Sequence, residues 1–314
     1  MNATNRPLKT AILDRLISCK HALPFGGYPL QRQENYRPFF IIGSGRSGNT
    51  LLRRILYAHS ALHIPPETYV LGRVIRIFRQ YRRANWKDLV FLTLAQLEYY
   101  PEFETFEIAL RPLANRLLET SASVRSLAFI VDSFFRYHAE QHGIACQRWG
   151  DKTPLNTFSL SLIHSVFPDA QFIHMIRDGC DVVSSYVEAG IYQNIDDAGR
   201  RWRDSIQAAE RFSHSYPGSC WEIRYEALVS QPEHVVRQLC GFLDIDFENS
   251  MLDSHPYSAY MGDVTLHDHH HRVHQPISLS SIGKGRTLMS KSEKARLQGI
   301  IGKTLHHLGY EPCI

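Results

Sequence analysis

Hydrophobic and polar positions along this chain fall into short blocks whose period changes, and each change predicts an element. Phe39, Phe40, Ile41 and Ile42 form a continuous apolar run stopped by Gly43, the pattern of a strand buried on both faces. Leu51, Leu52, Ile55 and Leu56 then mark a helix over residues 50–57, so strand, glycine-rich turn and helix succeed one another. Helical spacing persists over about residues 70–141, with Val70, Val74, Phe78 and Tyr81 on one stripe. It returns over residues 155–167 and stops at Pro168. The run QFIHMI, residues 171–176, predicts a second strand leading into a helix through Val187. Residues 221–225 predict a third strand, and Ser230 with Glu233 has capping-box spacing before a helix through Leu243, with Pro232 tolerated in its first turn.

Strands separated by helices predict an α/β fold with a parallel sheet flanked by helices, because parallel strands need crossovers that cover both faces. The long helical stretch is an insertion, about residues 70–147, after the first strand-loop-helix. Without repeats or low-complexity linkers, residues 39–314 read as one domain. Residues 1–38 read as an N-terminal extension with a docking helix on Leu8, Ile12, Leu13, Leu16 and Ile17. Lys9, Asp14, Arg15 and Lys20 interrupt that stretch too often for a signal peptide or a membrane span.

Charge changes the picture little. Lys and Arg number 35 against 31 Asp and Glu, a balance that suits an anionic ligand but not a dedicated nucleic-acid binder. The cysteines at 19, 146, 180, 220, 240 and 313 form no CxxC pair, which predicts reduced thiols of a cytoplasmic protein and no zinc site.

Two segments carry candidate chemistry. GSGRSGNT, residues 43–50, lies where a strand hands over to a helix, so its N–H groups can converge on an oxyanion. Its spacing is that of a nucleotide P-loop, yet Asn49 stands where the P-loop lysine should be, which argues against ATP or GTP chemistry. Arg46 supplies positive charge instead. In MIRDGCDVVSSY, residues 175–186, Arg177 follows a strand and Ser185 lies about two helical turns on. A guanidinium and a hydroxyl so placed can hold a second phosphate, although Arg177 could equally pair with Asp178 or Asp181. Ligands of open α/β sheets sit at the carboxyl ends of the strands, where both segments fall.

These segments resemble those of the sulfotransferases that use 3′-phosphoadenosine 5′-phosphosulfate (PAPS). In the order of Arg46, Glu67, Lys152, Arg177 and Ser185, the layout is most similar to tyrosylprotein sulfotransferases and related bacterial enzymes. The resemblance runs from about Phe39 to Lys284. It implies a P-loop-like parallel sheet, with PAPS as co-substrate, 3′-phosphoadenosine 5′-phosphate (PAP) as product, and no metal. Arg46, Ser47, Gly48, Asn49 and Thr50 would cradle the 5′-phosphosulfate. Arg177 and Ser185 would hold the 3′-phosphate, Tyr225 would contact the adenine side, and Lys284 would sit on a late loop closing over the cofactor. Two positions depart from the pattern: Ala189 and Tyr69 stand where tyrosylprotein sulfotransferases carry arginines.

The implied reaction is in-line sulfuryl transfer to an acceptor hydroxyl. Glu67, after two prolines in HIPPET, would be the general base. Lys152 in GDKTP would neutralise the leaving phosphate, and Arg46 the sulfuryl oxygens. Carbohydrate, tyrosine-containing peptide, lipid and small alcohol are all acceptors the sequence leaves open, as it does a homodimer. The competing readings are a P-loop kinase-like phosphotransferase and a non-catalytic PAP-binding module. Arg73, Arg76, Arg79 and Arg83 predict a solvated basic stripe, and the histidine run over residues 267–274 lacks metal-ligand spacing.

Overall fold

The computed structural model describes residues 27–32, 35–253 and 277–314. Five strands form one sheet: β1 (Phe39–Gly43), β2 (Leu62–His63), β3 (Arg148–Lys152), β4 (Gln171–Ile176) and β5 (Cys220–Arg224). Their order is β2-β3-β1-β4-β5, and every neighbouring pair is parallel. The chain leaves β1 for one edge, returns at β3 and crosses to β4, so a topological switch point lies at the carboxyl end of β1.

Helix α1 (Asn49–Tyr57) follows β1. The insertion comprises α2 (Leu71–Tyr81), α3 (Trp86–Glu98), α4 (Arg111–Leu118) and α5 (Leu127–Gln141). Then come α6 (Leu160–Val166), α7 (Gly179–Glu188), α8 (Ile195–Ser215), α9 (Tyr225–Ser230), α10 (Pro232–Leu243), α11 (Lys284–Leu288) and α12 (Lys291–His307).

Alternation along β1 explains its apolar run. Phe40 and Ile42 enter the core shared with the insertion, whereas Phe39 and Ile41 enter the core shared with α1, α9 and α10. Phe40 stacks on Phe172 of β4 at 5.3 Å and meets Trp149 of β3 edge-on at 5.9 Å, so one ring joins three strands. A third cluster packs α7, α8 and α12 around Trp202.

The expected helix after Ser230 begins at Pro232, but without the capping box: Ser230 closes α9, and its hydroxyl donates to the Glu226 carbonyl. Sequence periodicity missed β2, which has two residues, and β3, whose sequence RWGDK has no apolar run. The docking helix expected near residues 8–17 and the histidine run over residues 267–274 lie outside the described residues. Residues just after the former run irregularly over the insertion, with the Tyr28 N–H donating to the Arg82 carbonyl and the Tyr28 ring packed on Trp86. Among the described residues, no helix is long and apolar enough to cross a membrane.

Candidate active site

The candidate residues follow the carboxyl ends of the strands. Gly43 ends β1, Lys152 ends β3, Arg177 follows β4, and Tyr225 follows β5. At Gly48 the backbone turns left-handed (φ 98°) and α1 starts with no side chain capping its first N–H groups. A helix N-terminus in that condition is an oxyanion site. Glycine is required at 48 twice over, since a Cβ there would lie 2.5 Å from the Tyr225 ring.

The missing P-loop lysine now has a physical account. The Asn49 amide donates to the Ser44 carbonyl at 2.8 Å and braces the loop from within. The side chain of Asn49 is therefore structural, and its backbone opens α1. Ser47 is buried, and its hydroxyl has no hydrogen-bond partner among the described residues.

Arg46, in a left-handed conformation (φ 65°), donates through Nε to the Ser185 hydroxyl at 3.0 Å. Arg177 donates to the Arg46 carbonyl at 3.1 Å and to the Ser281 carbonyl at 2.6 Å. Its guanidinium lies over the Tyr225 ring, 4.5 Å from the centroid. The two loops inferred from sequence are thus one cluster of Arg46, Arg177, Ser185 and Tyr225. Backbone contacts hold it: the Trp202 indole donates to the Arg177 carbonyl at 3.1 Å, and Asp178 caps α7 by accepting from the Cys180 N–H at 2.8 Å.

Of the carboxylates that could have neutralised Arg177, Asp178 pairs with Arg286 at 2.8 Å. Asp181 approaches Arg177 only to 3.7 Å and accepts from the Gly283 and Gly285 N–H groups at 2.9 and 2.7 Å. These bonds dock the late loop beside the cluster. Lys284 on that loop is held by Glu188 at 3.0 Å.

A second cluster lies at the end of β3. The Lys152 ammonium, almost wholly buried, contacts the Glu67 carboxylate, which is itself largely covered. Tyr69, left-handed at φ 54°, stacks on Tyr100 at 5.3 Å. The Tyr100 phenol is pushed above its usual range, first by burial, then by Glu102, and with a lesser contribution from Glu67. The basic stripe on α2 is not a uniform solvated face. Arg79 turns inward and donates to the Ser165 hydroxyl at 2.7 Å, and Arg73 donates to the Gln96 carbonyl.

Sequence reasoning missed the residues that hold these groups in place. Asp151, Thr68, Thr153, Asn156 and Thr157 lie within or beside motifs already singled out, and the density of Asp, Thr and Asn in GDKTPLNT was the available signal. Among the described residues there is no group of three or more His, Cys, Asp or Glu side chains arranged for a metal ion.

The chain belongs to the sulfotransferase family, whose profile matches residues 38–249. Among its relatives, protein-tyrosine sulfotransferase A of Caenorhabditis elegans is 25% identical over 286 residues, covering 88% of this chain and 68% of the relative. Protein-tyrosine sulfotransferase 1 of Homo sapiens is 26% identical over 282 residues, covering 87% and 69%. The fold is that of the sulfotransferase domain from the Synechococcus PCC 7002 olefin synthase, with a TM-score of 0.64 at 21% identity over 90% of this chain and 98% of that one. A sulfotransferase domain from the curacin biosynthetic pathway aligns with a TM-score of 0.59 at 23% identity, covering 88% and 98%.

Proposed function

We propose that this protein transfers a sulfuryl group from PAPS to an acceptor hydroxyl, with Glu67 as general base. The observation that carries the reading is a pair of unlike clusters in the segments that follow the carboxyl ends of one parallel sheet. One is an uncapped helix start with Arg46, Arg177 and Ser185; the other is the buried Lys152–Glu67 contact. The donor fits the first cluster. Among the described residues, the Ser47 hydroxyl and Arg177 Nε are buried without hydrogen-bond partners, and buried polar atoms of this kind are normally satisfied. Phosphate oxygens would satisfy them.

In this reading, the start of α1 and residues Arg46 to Thr50 bind the 5′-phosphosulfate, Arg177 and Ser185 bind the 3′-phosphate, and Tyr225 borders the adenine. Lys284 completes the late loop that covers the donor. The acceptor oxygen attacks sulfur in line while the bond from sulfur to the 5′-phosphate oxygen breaks. The acceptor proton passes to Glu67, and PAP leaves with the electron pair. Lys152, turned to the bridging oxygen, stabilises the charge that develops there, and Arg46 does the same for the sulfuryl oxygens. Because PAP carries its charge in phosphates that protein cations already grip, the scheme needs no metal. Tyrosine-containing peptides, suggested by the names of the relatives, are the first acceptors to test, alongside carbohydrates and simple alcohols.

Calorimetry of PAP against ADP tests the donor site. PAP should bind at least about 100-fold more tightly, since the 3′-phosphate makes charge-assisted contacts that ADP lacks. Arg177→Ala should abolish most of that preference. Equal binding of the two nucleotides by the unmodified protein would overturn the PAPS assignment.

A further inference from the structure

Asp151 precedes Lys152 on β3. It is fully buried, and its carboxylate accepts from Thr68 Oγ1 at 2.7 Å, Thr153 Oγ1 at 2.7 Å and Asn156 Nδ2 at 2.9 Å. Thr153 Oγ1 in turn accepts from the Thr68 N–H at 2.9 Å. Thr68 is therefore tied down through both its backbone and its hydroxyl. It directly follows Glu67 and precedes the left-handed Tyr69. Pro65 and Pro66 stiffen the other side of Glu67.

The neighbouring residues complete a junction. Lys152, next to Asp151, takes the Glu67 carboxylate. Six residues beyond Asp151, the Thr157 hydroxyl accepts from the Gly43 N–H at 2.8 Å and donates to the Gly43 carbonyl at 3.1 Å, gripping the start of the phosphate loop. One short segment thus joins the base-bearing loop, the lysine strand and the phosphate loop. Burial pushes the Asp151 carboxyl above its ordinary range, opposed by Thr153, Thr68, Asn156 and the Lys152 charge. A carboxylate that is costly to bury and surrounded by donors is suited to fixing geometry.

We propose that Asp151, acting through Thr68, is a positioning residue that sets the Glu67 carboxylate relative to Lys152 and the phosphate loop. This rests on the sulfotransferase reading above, because it assumes that Glu67 is the base. Asp151 and Thr68 act by restricting where Glu67 can be.

The test uses Thr68→Val, which keeps the shape and the Thr68 N–H bond but removes the hydroxyl, with Thr68→Ser as rescue and Asp151→Asn as the stronger change. Thr68→Val should lower kcat for sulfuryl transfer about 10- to 100-fold, as small misplacements of a reacting group do. PAP affinity should stay within about threefold, since the phosphate contacts are untouched. Thr68→Ser should recover most of kcat. In parallel, amide hydrogen exchange should rise at residues 64–70 in Thr68→Val and Asp151→Asn, with β1 and β4 unchanged. Faster exchange with full kcat would overturn the catalytic role, and unchanged exchange would overturn the anchor itself. A parent protein that binds PAP but transfers nothing to any acceptor would sink the proposed function, while the exchange data would still decide whether Asp151 holds the loop.

Discussion

The two halves of the site handle charge in opposite ways. In the phosphate half, Arg177 is held by two backbone carbonyls and an aromatic ring, and Arg46 donates to a hydroxyl. Of the nearby carboxylates, Asp178 pairs with Arg286, while Asp181 accepts from two backbone N–H groups and lies 3.7 Å from Arg177. In the transfer half, Lys152 and Glu67 are in direct contact and largely buried. In the proposed reading, the first arrangement presents net positive charge to a permanent polyanion. The second keeps an acid and a base together, where moving one proton or one charged partner changes the electrostatics of both. Donor binding would then rest mainly on the segments after β1 and β4, and proton and leaving-group chemistry on Glu67 after β2 and Lys152 at the end of β3.

The sharpest way to break this division is in the transfer half. Glu67→Gln should lower kcat about 100- to 10,000-fold, the range for loss of a general base, with the PAP dissociation constant nearly unchanged by calorimetry. Comparable losses of turnover and PAP affinity would mean that the halves are not separate. Lys152→Ala should cost about 100- to 1000-fold in kcat, as removal of a preorganised transition-state charge does, again read against PAP binding.

A control lies outside both halves. His63 and His138 share a 2.9 Å hydrogen bond in the core, and burial chiefly holds them neutral, with His63 lowered to about 3 and His138 to about 2. Unfolded histidines take up protons near pH 6.5 and these rings do not. Their contribution is therefore complete above pH 6.5 and is lost progressively as the pH falls toward 3, by up to about 1.4 kcal/mol per pH unit for each ring. Thermal unfolding across pH should show this slope, and His138→Gln should reduce it by about half, with His63 still titrating. The smallest effect belongs to the phosphate half: Ser185→Ala should weaken PAP about 10-fold, the worth of one hydrogen bond to a charged group, and leave kcat at saturating PAPS within about twofold.

The elements that could be read from the chain are those whose cause is local. The apolar run at residues 39–42 and the run QFIHMI are strands because each is covered on both faces, and burial leaves that record in composition. The α2 stripe of Val70, Val74 and Phe78 is buried as its spacing requires, although Tyr81 at its end is 46% exposed. RWGDK gave no such signal. It is a strand because Trp149 stacks on Phe135 of α5 at 3.9 Å and the Arg148 side chain reaches Gln171 and the Leu243 carbonyl. Those partners are distant in sequence.

The site divides in the same way. Glycine spacing in the phosphate loop, a cation after β4 and the order of Glu67, Lys152 and Arg177 determined the class of chemistry, because backbone curvature and formal charge are properties of short segments. Tertiary structure decided what each group does. It turned Asn49 into a brace, drew Arg46 to Ser185, gave Asp178 to Arg286 and Lys284 to Glu188. It also placed Asp151 under Thr68, 83 positions away along the chain. A hydrogen bond depends on distance and direction between two atoms, and for residues so far apart only the packed sheet fixes either.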